Sequence, residues 1–301
     1  MQFFAAQDGA PIFFTDAGEG SAVILIHGWP LNADMWEYQR LDLLRKGLRV
    51  ITYDRRGFGR SEQTAIGYDY NTLADDLNSL IEYLDLDQVA LVGFSMGGGE
   101  IARYLKRYGP DRISCATLIS SVTPYMLKDS SNLDGVDESV FAKMISGLEE
   151  DRPHFLTDFT KQFFGENVLK HPVSEETKNW CLIMALQASL KASIDCLTAF
   201  SQTDFRPDMV AFTIPTLIIH GTGDKNVPIA TAGEATSKLI PSATFKTYEG
   251  APHGLVITHK QQLNLDLYEF LEAYGSQNIK SIINRGALMD NSKAPPESTL
   301  Y

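Results

Sequence analysis

The stretch VALVGFSMGGGEIARYLKRY (89–108) decides the architecture. Its first six residues, VALVGF, run without a polar side chain, as a strand buried on both faces does. From Gly97 to Tyr108 the pattern reads as a helix, ended by Gly109-Pro110. The junction carries G-x-S-x-G, from Gly93 through Ser95 to Gly97. A chain that turns there from strand to helix presents Ser95 at the sheet edge in a strained conformation. Gly93 and Gly97 leave room for so sharp a turn because they lack a Cβ. The helix N-terminus offers free N–H groups and a positive dipole end to developing negative charge. A bare match would equally describe a solvated serine in a glycine-rich turn. The strand before it and the helix after it favour a nucleophile.

Working outward, the apolar runs at 2–6 and 12–16 flank Asp8-Gly9 and read as a hairpin. AVILI (22–26) is a second buried strand, stopping at His27-Gly28. Residues 33–46 predict a helix with Met35, Trp36, Leu41 and Leu44 on its apolar face. A strand follows at 49–53. Asn71 then caps a helix carrying Leu73, Leu77, Leu80, Ile81 and Leu84. Another strand lies at 113–120. From Pro124 to about Asp208 no strand is visible, and segments 140–148, 152–164 and 175–200 read as helices rich in Phe, Met and Leu. Alternation resumes with a strand at 214–219, a helix at 230–239, a strand at 244–248 and a helix at 259–274. The fold class is therefore α/β, with a mostly parallel eight-stranded sheet and flanking helices. Segments 1–123 and 213–274 form the core, and 124–212 forms a helical lid over the strand ends. Residues 275–301, which include Ala294-Pro295-Pro296, read as a mobile tail.

Composition narrows the partners. The 301 residues carry 26 Lys+Arg against 38 Asp+Glu, a net charge of −12, which argues against nucleic acid and anionic membrane surfaces. No apolar run reaches the roughly 18–20 residues of a membrane helix. The N-terminus lacks the basic start of a secretory signal. Cys115, Cys181 and Cys196 show neither metal spacing nor a CxxC pair. They read as small buried thiols, and a reducing cytoplasm is the simplest location.

A serine hydroxyl is a weak nucleophile and needs a base, itself oriented by a carboxylate. Of six histidines, His253 in GAPHG (250–254) follows the last strand, where the order Ser…Asp…His expects the base. His27 reads as shaping its loop, His154 and His171 lie in the lid, His220 ends a strand, and His259 begins a helix. Asp224 in HGTGD (220–224) is the candidate carboxylate. Its bland alternative is an ordinary turn aspartate. The rival position after the strand ending near Ser120 has no acid before Asp129. The backbone N–H of Met96 is one oxyanion donor. The loop after the strand at 22–26 should supply a second; Pro30 cannot donate, so Trp29 is the candidate.

HGWPLNADMWEYQ (27–39), YDRRGFGRS (53–61), GFSMGGGE (93–100), HGTGDKNVP (220–228) and APHG (251–254) together resemble one branch of the α/β-hydrolase superfamily. That branch holds bacterial aryl esterases, cofactor-free haloperoxidases (better called perhydrolases) and related lactamases. The resemblance spans residues 2–272 and implies an α/β-hydrolase fold. It implies that Ser95, Asp224 and His253 form a catalytic triad, with Trp29 and Met96 N–H groups as the oxyanion hole. It also implies a small hydrophobic pocket of Pro30, Val122, Phe159, Phe163, Phe200 and Val227; taken singly, such residues are more often core. Members with proline at the position of Pro30 tend towards perhydrolysis, its neighbour's carbonyl accepting a hydrogen bond from peroxide. Pro30 as a mere loop stiffener is the equal alternative. Asp54 and Arg55-Arg56 read as a structural lock.

The function implied is hydrolysis of small carboxylic esters through an acyl-enzyme, with peracid formation from hydrogen peroxide and a carboxylic acid or ester. Halide oxidation would be secondary, by released peracid. No metal, haem or other cofactor is expected. Lactone or γ-lactam hydrolysis on the same triad is the alternative within the fold. A ligand-binding sensor with little turnover is the alternative of another class. Dehalogenase chemistry is disfavoured, because those relatives carry aspartate where Ser95 stands. The sequence leaves the oligomeric state open, although members of the branch it resembles often assemble as homo-oligomers.

Overall fold

The computed structural model describes residues 1–275; the expected tail, apart from Gly275, lies outside the described residues. Eight strands form one sheet: β1 (Gln2–Ala5), β2 (Pro11–Ala17), β3 (Ala22–Ile26), β4 (Arg49–Tyr53), β5 (Val89–Phe94), β6 (Ile113–Ile119), β7 (Thr216–Gly221) and β8 (Thr244–Tyr248). Their spatial order is β1-β2-β4-β3-β5-β6-β7-β8. Only β1 with β2 and β2 with β4 pair antiparallel; the other pairs are parallel. Every residue of β5 is buried, as the unbroken apolar run required.

The helices are α1 (Glu37–Arg45), α2 (Tyr70–Tyr83), α3 (Met96–Tyr108), α4 (Glu138–Phe163), α5 (Glu175–Leu186), α6 (Leu190–Gln202), α7 (Gly233–Leu239), α8 (Leu255–Thr258) and α9 (Lys260–Tyr274). Helices α4 to α6 fill the long interval between β6 and β7. Among the described residues no single helix is long and apolar enough to cross a membrane.

Local chemistry accounts for where sequence and structure differ. The helix predicted over 33–46 begins as a 3-10 turn at Ala33–Trp36, capped by the Asn32 side chain. Leu43 rather than Leu41 is buried in α1, and Leu41 is exposed. Asp69, not Asn71, caps α2: its carboxylate accepts from the N–H groups of Asn71 and Thr72. The region expected as one helix over 175–200 breaks into α5 and α6, which meet at 96°. Ser189 starts the second, its side chain accepting from Ala192 N. In α4 the helical path is interrupted at Asp151 (φ −149°, ψ 82°), two residues before Pro153. Proline supplies no N–H and its ring crowds the carbonyl four residues back, so the helical path breaks just ahead of Pro153, where the split near 150 was expected.

The three cysteines are free and buried. Burial pushes each thiol up to about 12, so none is a poised nucleophile.

Candidate active site

The turn from β5 to α3 has the geometry its sequence demands. Ser95 sits at φ 53°, ψ −115°, a positive φ that a residue with a Cβ adopts only under strain. A Cβ on Gly93 would lie 2.6 Å from the Gly97 carbonyl, and one on Gly97 would lie 2.5 Å from the Ile26 carbonyl. Both positions therefore require glycine for the helix to approach the sheet. The turn is held by Ser95 N–H donating to the Ile119 carbonyl at 2.8 Å. The Ser95 carbonyl accepts from Val122 N–H at 3.3 Å, which ties the end of β6 to the serine.

The loop after β7 brings Asp224 into reach. Its Oδ1 accepts from the N–H groups of Asn226 at 2.9 Å and Val227 at 2.8 Å. Its Oδ2 faces His253 Nδ1 at 2.7 Å, and His253 Nε2 faces Ser95 Oγ at 3.0 Å. A carboxylate only accepts, so Nδ1 carries the proton and Nε2 is left to accept from the serine. Burial pushes the Asp224 carboxyl up. Attraction to His253 in its protonated form, with hydrogen bonds from His220 and His253, outweighs that and holds it well below the usual carboxylate range. Phe94 lies tilted 4.9 Å from the His253 ring, and Phe163 meets it edge-on at 5.5 Å. These contacts confine the imidazole to the orientation that faces Ser95.

The loop His27-Gly28-Trp29-Pro30 closes the other side of the serine. Gly28 packs against it so closely that a Cβ there would lie 3.1 Å from Ser95 Cβ. Trp29 and Met96 backbone N–H groups donate to no acceptor among the described residues. The Trp29 indole N–H donates to the Ser193 carbonyl at 2.9 Å, and its ring lies edge-on to Phe159 and Phe200. His27 is held away from the chemistry. Its Nε2 accepts from Arg55 N–H, and burial with the nearby Arg55 charge pushes its pKa well below the usual histidine value.

Ser95 and His253 open onto a cavity of about 390 Å³. Of the residues expected to form the pocket, Val122, Phe159, Phe200 and Val227 line it, and Trp29 joins them. Pro30 and Phe163 are not on its wall. Phe163 packs instead between Phe94, Phe164 and the His253 ring, so it supports the imidazole from behind. Sequence reading missed much of the wall that α4 supplies: Val140, Phe141 and Met144 from its first half, and Phe155 and Gln162 from its second. Helical spacing around Phe159 carried that signal, since Phe155 and Gln162 share its face. Lys225, Asn226 and Pro228 complete the wall beside the carboxylate turn. Among the described residues, no three His, Cys, Asp or Glu side chains converge as a metal site would require.

A buried nucleophile, a neutral base that accepts from it, a carboxylate behind the base and an adjoining apolar cavity together suit acyl transfer. A family model described as the alpha/beta hydrolase fold matches residues 21–260. The chain belongs to the α/β-hydrolase family. It is 42% identical over 273 residues to a non-heme chloroperoxidase of Kitasatospora aureofaciens, covering 90% of this chain and 99% of that protein. It is 38% identical over 277 residues to a bifunctional esterase/perhydrolase of Acinetobacter calcoaceticus, covering 91% of this chain and all of that one. The crystal structure of a bromoperoxidase from Bacillus anthracis superposes with a TM-score of 0.87 at 45% identity, over 90% of this chain and 100% of that chain.

Proposed function

We propose that the chain is a cofactor-free serine esterase of small carboxylic esters that also forms peracids from hydrogen peroxide. The observation that carries this reading is the unbroken contact from Asp224 through His253 to Ser95, opening onto an apolar cavity. The esterase/perhydrolase relative supports the pairing of the two activities.

In this reading Ser95 Oγ attacks the ester carbonyl and its proton passes to His253 Nε2. The imidazolium so formed is stabilised by Asp224, which stays ionised. The carbonyl oxygen gains negative charge and is met by the Trp29 and Met96 N–H groups. Collapse breaks the C–O bond of the leaving alcohol, which takes the proton from His253 and leaves an acyl-Ser95. His253 then removes a proton from water or from hydrogen peroxide, whose oxygen attacks the acyl carbon. Breaking the bond to Ser95 releases a carboxylic acid or a peracid, and Ser95 regains its proton. Helices α4 and α6 supply much of the apolar wall against which a small acyl group would pack. The reduced thiols fit a cytoplasmic location.

Turnover of p-nitrophenyl acetate, with one fluorophosphonate adduct on Ser95 by intact mass, tests the esterase. Peracetic acid formed from acetate and hydrogen peroxide tests the second activity. Absence of both turnover and adduct sinks the enzyme reading and leaves a ligand-binding sensor. Turnover without peracid sinks the perhydrolase half alone.

A further inference from the structure

His220 is a buried imidazole that the mechanism above does not use. It lies within β7, just ahead of the turn that carries Asp224. Its Nε2 is 2.9 Å from the Val227 carbonyl and 3.4 Å from Asp224 Oδ2. A carbonyl can only accept, so Nε2 carries the proton and points it at both oxygens. Nδ1 is buried and has no partner among the described residues, which suits a lone pair and not a second N–H. Gly233 packs on the ring, where a Cβ would lie 2.8 Å from Nδ1, so the imidazole is seated without slack.

These contacts close a ring. Val227 donates its N–H to Asp224 Oδ1, while its carbonyl accepts from His220. The other carboxylate oxygen meets His220 and His253 together. Val227 is at the same time part of the cavity wall. We propose that His220 is a positioning residue that clasps the 224–228 turn, fixing the triad carboxylate and the Val227 wall in one relative placement. The proposal rests on the triad reading, because it acts through Asp224. Without the clasp the turn keeps its two backbone N–H bonds to Oδ1 but loses the restraint on the Val227 carbonyl and on Oδ2. The carboxylate then swings relative to His253, and small misplacements of a catalytic group cost rate steeply.

The test compares His220→Leu with His220→Gln, whose amide nitrogen reaches where Nε2 lies and can still donate to the Val227 carbonyl. Fluorophosphonate stoichiometry counts competent sites, so kcat per labelled site is insensitive to partial unfolding. We expect His220→Leu to lower kcat per labelled site by roughly 10- to 100-fold, with KM altered less. His220→Gln should recover it to within about threefold of the parent, since the donor is restored. A Leu variant with undiminished kcat per site overturns the proposal while leaving the triad standing. So does a Gln variant no better than Leu. A parent that neither turns over ester nor takes the label overturns the triad reading, and the clasp with it. Should the Leu variant not fold, His220→Asn replaces it, because its shorter amide falls near Nδ1. Gln must then exceed Asn by about tenfold per site, and equal values overturn the clasp.

Discussion

Helix α3 separates two buried polar networks that look alike on paper. At its N-terminus stands Ser95, in contact through His253 with Asp224. One turn further along, Glu100 pairs with Arg55, accepts from Tyr53 Oη at 2.5 Å, and through Arg55 holds the His27 carbonyl. The second network contains the stronger charges and is fully buried. Nevertheless, none of Tyr53, Arg55, Glu100 or His27 lines the cavity beside Ser95. The first network opens onto that cavity, and its serine occupies a strained backbone position. Buried charge marks a structural device as readily as a functional one. Access to a cavity and stored strain distinguish the two. Burial pushes both carboxyls up, yet the outcomes are opposite. It pushes the Glu100 carboxyl up in spite of Arg55, whereas Asp224 is held down in spite of burial.

Substitutions should separate the two networks cleanly. The largest effect belongs to Ser95→Ala, which removes the nucleophile. We expect kcat to fall by a factor on the order of 10⁶ with little change in the thermal midpoint. A residual rate within 100-fold of the parent would make Ser95 no different in kind from Glu100. The opposite behaviour is expected of Glu100→Leu, which leaves the Arg55 guanidinium buried without its partner. It should cost about 3–5 kcal/mol of stability in denaturant unfolding, with kcat per competent site little altered. Pairing it with Arg55→Met should recover part of that loss, because two matched apolar side chains replace the ion pair. A catalytic defect that survives the pairing would place the lock inside the machinery.

Acid unfolding sharpens the contrast with a smaller effect. A carboxyl held below its ordinary value contributes stability at pH above about 4. That contribution disappears as pH falls through the lowered value. Asp224→Asn should therefore flatten the dependence of the thermal midpoint on pH below about 4. Glu100 has the opposite sign: its raised carboxyl favours protonation in the fold, so its contribution is not what acid removes. An unchanged acid limb in Asp224→Asn would mean that Asp224 is not held ionised by His253. The smallest effect is expected of Pro30→Leu. It should lower the ratio of perhydrolysis to hydrolysis by about three- to tenfold, the scale of one hydrogen bond of roughly 0.5–1.5 kcal/mol. A constant ratio would leave Pro30 as a stiffener of the loop.

Both networks were visible in the sequence to different depths. Asp54 and Arg55-Arg56 read as a structural lock, and the structure pairs Arg55 with Glu100, Arg56 with Asp76 and Asp8, and Asp54 with Arg60. Glu100 was invisible as their partner, because nothing local links a helix residue to a loop on another strand. Ser95, Asp224 and His253 could be chosen because each sits in a short turn directly after a strand, where the fold must place its reacting groups. His220, read only as the end of a strand, was given no role for the converse reason. A histidine inside a strand carries no turn signal, and only the return of the chain at Val227 gives it a partner.

By itself the sequence determined the sheet, the order of its strands along the chain and the strand-end turns. Periodicity, glycine and proline act over a few residues, so their message survives without the fold. Tertiary structure alone decided which side chains of α4 to α6 face the cavity, that Phe163 backs the imidazole instead of lining the pocket, and that His220 meets the Val227 carbonyl and Asp224. Those outcomes depend on contacts between residues far apart in the chain, and the kink at Asp151 and the break before Ser189 set the directions of α4, α5 and α6.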